Sequence, residues 1–258
     1  MAERIRSLKD ITPLYDVILC DVWGVLHNGV DPFLDAAEAL ARARRDGACV
    51  VLITNSPRPN DSVAIQLDGI GVPREAWDRI VTSGDVTRAL IRQGPPNVYF
   101  LGPDRDLGLL DGTDAVPVDE EEAEAIVCTG FLDDETETPE DYRDLLMRFA
   151  GREIPMICAN PDLVVERGDR LIPCAGAMAA FYETLGGATR IAGKPHRPIY
   201  VAALHEAGEL NGTVDPARIL AIGDGMPTDV RGALSEGLDL LYISAGIHAR
   251  DYMTGETT

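Results

Sequence analysis

Four polar segments of this 258-residue sequence lie where predicted strands end or a predicted helix begins, and they carry carboxylates, a hydroxyl and an ammonium group. They are Asp21, Thr54-Asn55-Ser56, Gly193-Lys194 and Gly223-Asp224, the last followed closely by Asp229. The carboxyl ends of parallel strands meet at one edge of a sheet, which is where open α/β folds bind ligands. The spacing therefore predicts one cleft holding two or three carboxylates, one hydroxyl and one ammonium group.

These groups together suit phosphoryl transfer. Carboxylate oxygens from Asp21 and Asp224 are the ligands that Mg²⁺ prefers, usually with water and a substrate phosphate completing its shell. A carboxylate beside that metal and beside Lys194 stays ionised and can act as a nucleophile. Thr54 and the backbone N–H groups of its loop can donate hydrogen bonds to phosphate oxygens. Lys194 can neutralise charge that develops in the transition state.

The elements that position these groups follow from the apolar periodicity. Apolar runs of strand length alternate with amphipathic helical segments, a pattern typical of βαβ units and a parallel sheet. The predicted elements on either side of the central region are strands 17–20, 48–53, 79–83, 219–222 and 240–243 and helices 34–46, 61–69, 86–92, 197–208 and 229–236.

A break at Gly94-Pro95-Pro96 precedes a second α/β pattern. It consists of strands 98–101, 125–129 and 154–159 and helix 139–149. We therefore predict an α/β protein with a Rossmann-like parallel-sheet core, residues 1–93 and 189–258. An inserted α/β domain, residues 94–188, interrupts this core.

The amino-acid composition argues against several classes of binding partner. With 43 acidic and 23 basic residues, the net charge of -20 argues against nucleic acid and anionic membranes as partners. No apolar run approaches the roughly 20 residues that span a bilayer, and the N-terminal residues are too charged for a signal peptide, so we expect a cytoplasmic protein. The five cysteines form no CxxC pair, which favours buried free thiols over disulfides or zinc. Only Lys9 and Lys194 are lysines, which singles out Lys194.

The four segments resemble, in order, the four motifs of the haloacid dehalogenase superfamily. The matching stretches are Asp21-Val22-Trp23-Gly24-Val25, Leu52-Ile53-Thr54-Asn55-Ser56, Gly193-Lys194-Pro195 and Gly223-Asp224-Gly225-Met226-Pro227-Thr228-Asp229. The insertion resembles a type-2 α/β cap, and residues 159–162 and 172–177 resemble segments of the branch that includes phosphoglycolate and pyridoxal phosphatases.

This resemblance implies specific roles. Asp21 would be the nucleophile that forms an aspartyl-phosphate, Thr54 would bind the transferring phosphoryl group, and Lys194 would hold both. Mg²⁺ would be ligated by Asp21, Asp224, Asp229 and the main-chain carbonyl of Trp23. Four residues would contact the substrate, the last two from the cap: Asn55, Ser56, Asn160 and Asp162. A homodimer formed through the cap is compatible with the resemblance.

Trp23 departs from the family pattern, which usually has a second Asp at this position. That Asp protonates the leaving oxygen and later activates water, and an indole does neither. General acid–base catalysis raises the rate by about 10² to 10⁴. Its loss should lower the rate of hydrolysis most for alkyl phosphates, because alkoxides are poor leaving groups. His27 and His196 are the nearest candidates in the sequence for a substitute acid.

Two interpretations follow. The first is a Mg²⁺-dependent phosphatase or phosphotransferase that acts on a small phosphorylated metabolite through an aspartyl-phosphate. The second is a catalytically weak protein that binds or senses such a metabolite. A haloacid dehalogenase proper is disfavoured because the metal motif at Asp224 and Asp229 is present. A phosphonatase is disfavoured because residues 94–188 contain no lysine for a Schiff base.

Overall fold

The computed structural model describes residues 3–167 and 170–244. Over these residues the strands are β1 (Val17–Cys20), β2 (Cys49–Thr54), β3 (Arg79–Thr82), β4 (Asn97–Leu101), β5 (Val116–Pro117), β6 (Ala125–Cys128), β7 (Met156–Cys158), β8 (Val164–Arg167), β9 (Arg170–Pro173), β10 (Thr189–Ile191), β11 (Ile219–Gly223) and β12 (Asp239–Tyr242). The α-helices are α1 (Leu34–Arg45), α2 (Asn60–Ile70), α3 (Ser83–Arg92), α4 (Arg143–Gly151), α5 (Ala175–Thr184), α6 (Arg197–Asn211) and α7 (Arg231–Glu236).

The described chain divides into two compact units. The first comprises 3–54, 60–81 and 199–244, and the second comprises 55–59, 82–167 and 170–198. The predicted cap, 94–188, falls within the range of the second unit, and its exact boundaries stay a prediction. The predicted core segment 189–258 extends into residues 245–258, which lie outside the described residues.

The first unit is built on a five-stranded sheet in the order β12-β11-β1-β2-β3. β1 is central and pairs in parallel with both β11 and β2, while β11 pairs in parallel with β12. Every residue of β1, β2 and β11 is buried, as expected for apolar strands covered on both faces. Their side chains form a core with Leu40 of α1 and the fully buried Trp77.

The second unit contains another five-stranded sheet, in the order β10-β7-β6-β4-β5, with parallel pairing throughout. Alternate residues of β6 enter two separate apolar clusters: Ile126 and Cys128 belong to one, Ala125 and Val127 to the other. This alternation follows from the two-residue period of a strand and shows that both sheet faces are covered. The α/β fold prediction is confirmed.

Several elements differ from the sequence prediction. Helix α3 begins at Ser83, not at Val86, because the Thr82 side chain accepts the Asp85 N–H at 2.9 Å and caps the helix. Helix α5 was not predicted, since its small and apolar residues give no amphipathic period and five of them are buried. The short strands β5 and β10 and the antiparallel pair β8–β9 were also not predicted.

Four of the five cysteines are buried and all five are free thiols, as the sequence predicts. Burial raises the pKa of Cys49 to about 11 and that of Cys128 to about 12, so both remain protonated at neutral pH. No helix in the described part of the chain combines the length and apolar content that a membrane span requires.

Candidate active site

Three of the predicted site residues form a carboxylate cluster in the first unit. Asp21 directly follows β1 and Asp224 directly follows β11, so the parallel pairing of these strands brings both to the same sheet edge. The Asp21 N–H donates to the Ile222 carbonyl at 2.8 Å, which continues the pairing one residue beyond β1. Together with Asp229, each residue offers one carboxylate oxygen within 4.8 Å of the others, and all three residues are buried.

Asp229 reaches this cluster through an irregular turn. The sequence predicts a helix that begins at Asp229, but the structure has a π turn, Met226–Val230, before α7. Single π turns are frequent at functional sites. The Asp229 carboxylate accepts the Gly225 N–H at 3.0 Å, and its own N–H donates to the Gly225 carbonyl at 2.9 Å. The turn therefore aims the Asp229 side chain back toward the end of β11.

Two glycines allow these carboxylates to approach the backbone. A Cβ atom at Gly24 would overlap the Asp224 carboxylate, and Gly24 has a φ of +83° that non-glycine residues rarely adopt. A Cβ atom at Gly223 would overlap the carboxyl group of Asp229. The need for glycine at position 223 was not predicted from the sequence, although Gly223 directly precedes Asp224.

The donor set of the cluster fits a hard divalent cation. Carboxylate oxygens are the ligands that Mg²⁺ and Ca²⁺ select, and Mg²⁺ is commonly held by one or two carboxylates with water and phosphate. Three buried carboxylates this close together repel one another unless positive charge is present. The role of the Trp23 carbonyl as a further ligand stays a prediction.

Trp23 lies on the loop after β1, and its indole packs against Gly29 and His27. A Cβ atom at Gly29, whose φ is +96°, would overlap the six-membered ring of the indole. The Trp23 ring also meets the His27 imidazole edge-on, with centroids 5.1 Å apart and an interplanar angle of 72°. Trp23 nevertheless remains 38% exposed.

The structure does not favour His27 as a replacement acid. His27 is 1% exposed, and burial lowers its pKa. Its Nδ1 accepts the Gly29 N–H at 2.9 Å, which assigns the ring proton to Nε2 of a neutral imidazole. A neutral imidazole is a very weak acid, so His27 acts here as a structural part of the loop that carries Trp23.

Thr54 is the last residue of β2 and is 7% exposed. Because β2 pairs in parallel with β1, with Leu52 opposite Cys20, Thr54 lies at the same sheet edge as Asp21. The structure therefore places four predicted residues, Asp21, Thr54, Asp224 and Asp229, along one edge of the first sheet.

Lys194 belongs to a second group of predicted residues, in the second unit. It follows β10, is 1% exposed and is held by its main chain. The Asn55 side chain accepts the Lys194 N–H at 2.7 Å and donates to the Lys194 carbonyl at 3.1 Å. Lysine is almost never fully buried unless it is paired, so burial of Lys194 is consistent with a functional role.

The same Asn55 amide also donates to the Asp162 carboxylate at 2.8 Å. Asp162 in turn donates its N–H to the Asn160 side chain at 3.0 Å. Gly193 leaves room for this arrangement, because a Cβ atom there would overlap the Asn55 side-chain oxygen and Pro161. Asn55 therefore connects the predicted cap residues to Lys194, a connection across 139 sequence positions that the sequence analysis missed.

Ser56 has local contacts: its hydroxyl accepts the Arg58 N–H at 3.2 Å, and its carbonyl accepts the Gly84 N–H at 3.1 Å. Substrate contact by Asn55, Ser56, Asn160 and Asp162 stays a prediction.

Replacing Asn55 with Ala is expected to lower the free energy of unfolding by about 2 kcal/mol, because it removes two hydrogen bonds to the buried main chain of Lys194 and one to the Asp162 carboxylate. Urea unfolding would measure the loss. The matched control is Asn211→Ala at the exposed end of α6, which should change the free energy by less than about 0.5 kcal/mol. Equal stability of the two variants would contradict a structural role for the Asn55 amide.

Comparison with known proteins identifies the family. A hydrolase of the haloacid dehalogenase-like family from Brucella suis 1330 has a solved structure that is 56% identical to this chain, with a TM-score of 0.90. The similarity covers 99% of this chain and 95% of that chain. This chain belongs to the haloacid dehalogenase-like hydrolases. Two family models agree: one described as haloacid dehalogenase-like hydrolase matches residues 18–115, and one described as HAD-hydrolase-like matches residues 191–257.

More distant haloacid dehalogenase-like relatives carry names that state an activity. The 5'-nucleotidase YutF of Bacillus subtilis is 24% identical over 94% of this chain and 92% of that protein. Glycerol phosphate phosphatase of Mycobacterium tuberculosis, solved in complex with calcium, is 25% identical with a TM-score of 0.70, covering 92% of this chain and 68% of that chain. A second structure of that phosphatase is a complex with magnesium. The family membership predicted from the four motifs is thus confirmed.

Proposed function

We propose that this protein is a Mg²⁺-dependent phosphohydrolase that acts on a small phosphorylated metabolite through an aspartyl-phosphate on Asp21. The observation that carries the proposal is the cluster of three buried carboxylates, Asp21, Asp224 and Asp229, within 4.8 Å at one edge of a parallel sheet. Two relatives are named for activity on phosphate esters, a 5'-nucleotidase and a D-glycerol 3-phosphate phosphatase, and these names support the same substrate class.

When bound by Asp21, Asp224 and Asp229, Mg²⁺ would neutralise negative charge on the phosphoryl oxygens. An Asp21 carboxylate oxygen attacks phosphorus, and the bond to the leaving oxygen breaks with its electron pair passing to that oxygen. Water then attacks the phosphorus of the aspartyl-phosphate, which releases inorganic phosphate and restores the Asp21 carboxylate. Thr54 donates a hydrogen bond to a phosphoryl oxygen during both steps.

Lys194 is proposed to neutralise charge on the same phosphoryl group. Support comes from its Gly-Lys-Pro motif, its burial and its anchoring by Asn55, the residue directly after Thr54 in the chain. Asn55 and Ser56 would contribute main-chain N–H groups of their loop, and Asn160 and Asp162 would contact the leaving group. A cytoplasmic location and a homodimer remain predictions.

One observation favours a second function. Because Trp23 supplies no acid and His27 is a buried neutral imidazole, neither of these two residues can protonate a leaving oxygen. A protein that binds a phosphorylated metabolite without turning it over would have the same feature. Retention of the nucleophile position, Asp21, argues for the hydrolase, since a second anion beside a bound phosphate weakens simple binding.

The test is phosphate release from alkyl phosphates, acyl phosphates and diphosphates, with Mg²⁺ or with excess EDTA. We expect release that requires Mg²⁺ and is fastest for the acidic leaving groups. Metabolite binding without release from any substrate would establish the binding protein instead. Halide release from 2-haloacids that continues in EDTA would establish a dehalogenase.

A further inference from the structure

The Trp23 indole is a preorganised aromatic surface. It packs against Gly29 and meets the His27 ring in a T-shaped arrangement. His27 itself accepts two hydrogen bonds, from the Gly29 N–H at Nδ1 (2.9 Å) and from the Gly24 N–H at its main-chain carbonyl (2.8 Å). A ring that is already fixed loses little conformational entropy when a ligand packs against it. More than a third of Trp23 is still exposed and available for contact.

The position of Trp23 in the chain places this surface at the carboxylate cluster. Trp23 is two residues from Asp21, so the two Cα atoms are at most about 7 Å apart. The next residue, Gly24, lies directly against the Asp224 carboxylate. The Trp23 backbone therefore lies beside the cluster, next to the space that a group esterified to a bound phosphate would enter.

We infer that Trp23 is a specificity-determining residue that packs against a planar, aromatic leaving group of the phosphate ester. The inference rests on the proposed function, because it concerns the leaving group of that reaction. Offset stacking of aromatic rings adds binding beyond the apolar area buried. An aryl oxide also departs without a proton, which suits a position where an indole replaces an ionisable group.

The test uses two phosphonates of similar size and charge that cannot be hydrolysed, phenylphosphonate and cyclohexylphosphonate. Their dissociation constants are measured by calorimetry in Mg²⁺ for wild type, Trp23→Phe and Trp23→Leu. We expect wild type to bind phenylphosphonate about three- to tenfold more tightly than cyclohexylphosphonate. Trp23→Phe should keep part of this preference, and Trp23→Leu, which stays apolar, should lose it. Leu234→Ala, an exposed change in α7, is the control and should keep the full preference.

Phosphate release from phenyl phosphate is measured on the same samples to separate the two proposals. A preference for phenylphosphonate without release would overturn the proposed hydrolase and support the aromatic surface. Release without a preference, or a preference that survives in Trp23→Leu, would overturn the inference alone. Failure of wild type to bind either phosphonate would overturn the inference as well.

Discussion

Replacing Asp21 with Asn is expected to reduce phosphate release by roughly 10⁴-fold or more, because loss of a covalent nucleophile removes the main reaction path. The substitution is nearly isosteric. Asp21 accepts the Val22 N–H through Oδ1 at 2.8 Å, and the amide oxygen of Asn can accept the same bond. Labelled phosphate that remains on the protein after rapid acid quenching would show the intermediate in wild type, and this label should be absent from Asp21→Asn.

Asp16→Asn is the matched control for this change. This substitution removes the same charge at the position just before the first residue of β1. The Asp16 carboxylate is exposed there and pairs with Arg218 at 2.6 Å. Exposed pairs of this kind contribute little to stability because solvent screens them, so release should stay near the wild-type rate. Release from Asp21→Asn that matches the control on every substrate would exclude an aspartyl-phosphate on Asp21.

Replacing Trp23 with Asp is expected to raise turnover of alkyl phosphates by about 10² to 10⁴, the range that a positioned general acid supplies. Alkoxides leave poorly without a proton, so the gain should be smaller for acyl phosphates, whose leaving groups are already acidic. The measurement is kcat/KM for one alkyl phosphate and one acyl phosphate in wild type and variant. The ratio of the two kcat/KM values does not depend on the protein concentration, so a change in this ratio reports the contribution of proton transfer.

The variant Trp23→Asn distinguishes the effect of adding an acid on turnover from the effect of removing the indole. Both variants remove the ring that packs on Gly29 and His27, but only Asp can donate a proton. A gain on alkyl phosphates shared equally by Asn and Asp would show that the indole obstructs the site and that no acid is missing. Thermal unfolding of both variants checks that the loop change has not destabilised the first unit.

The site residues that can be predicted from the sequence are those that directly follow or end an apolar run of strand length. Asp21 and Asp224 could be placed because each ends a continuous apolar run, and parallel pairing of such runs brings their ends together. Thr54 follows from the same argument on β2. The alternation of strands and helices likewise predicted the α/β fold, although helix α5 was missed because it lacks a polar face.

The parts that could not be predicted depend on contacts between distant segments or on local backbone irregularity. The Asn55 bonds to Lys194 and Asp162 join positions 139 and 107 residues apart, and no periodicity reports such pairs. The π turn before α7 changes the direction of Asp229 without any change in apolar spacing. The close approach of the Trp23 indole to Gly29 could not be predicted either, because it depends on the local backbone conformation.

The carboxylate cluster also has a consequence for folding. Three acidic side chains held within 4.8 Å in a chain of net charge -20 repel one another in the native state, and unfolding relieves that repulsion by separating them. A divalent cation that binds the native cluster and not the unfolded chain removes this penalty. It adds about 2.7 kcal/mol to the free energy of unfolding when its concentration is about 100 times its dissociation constant. We therefore expect the stability of the folded protein to rise with the concentration of divalent cations, through the same three residues that are proposed to serve catalysis.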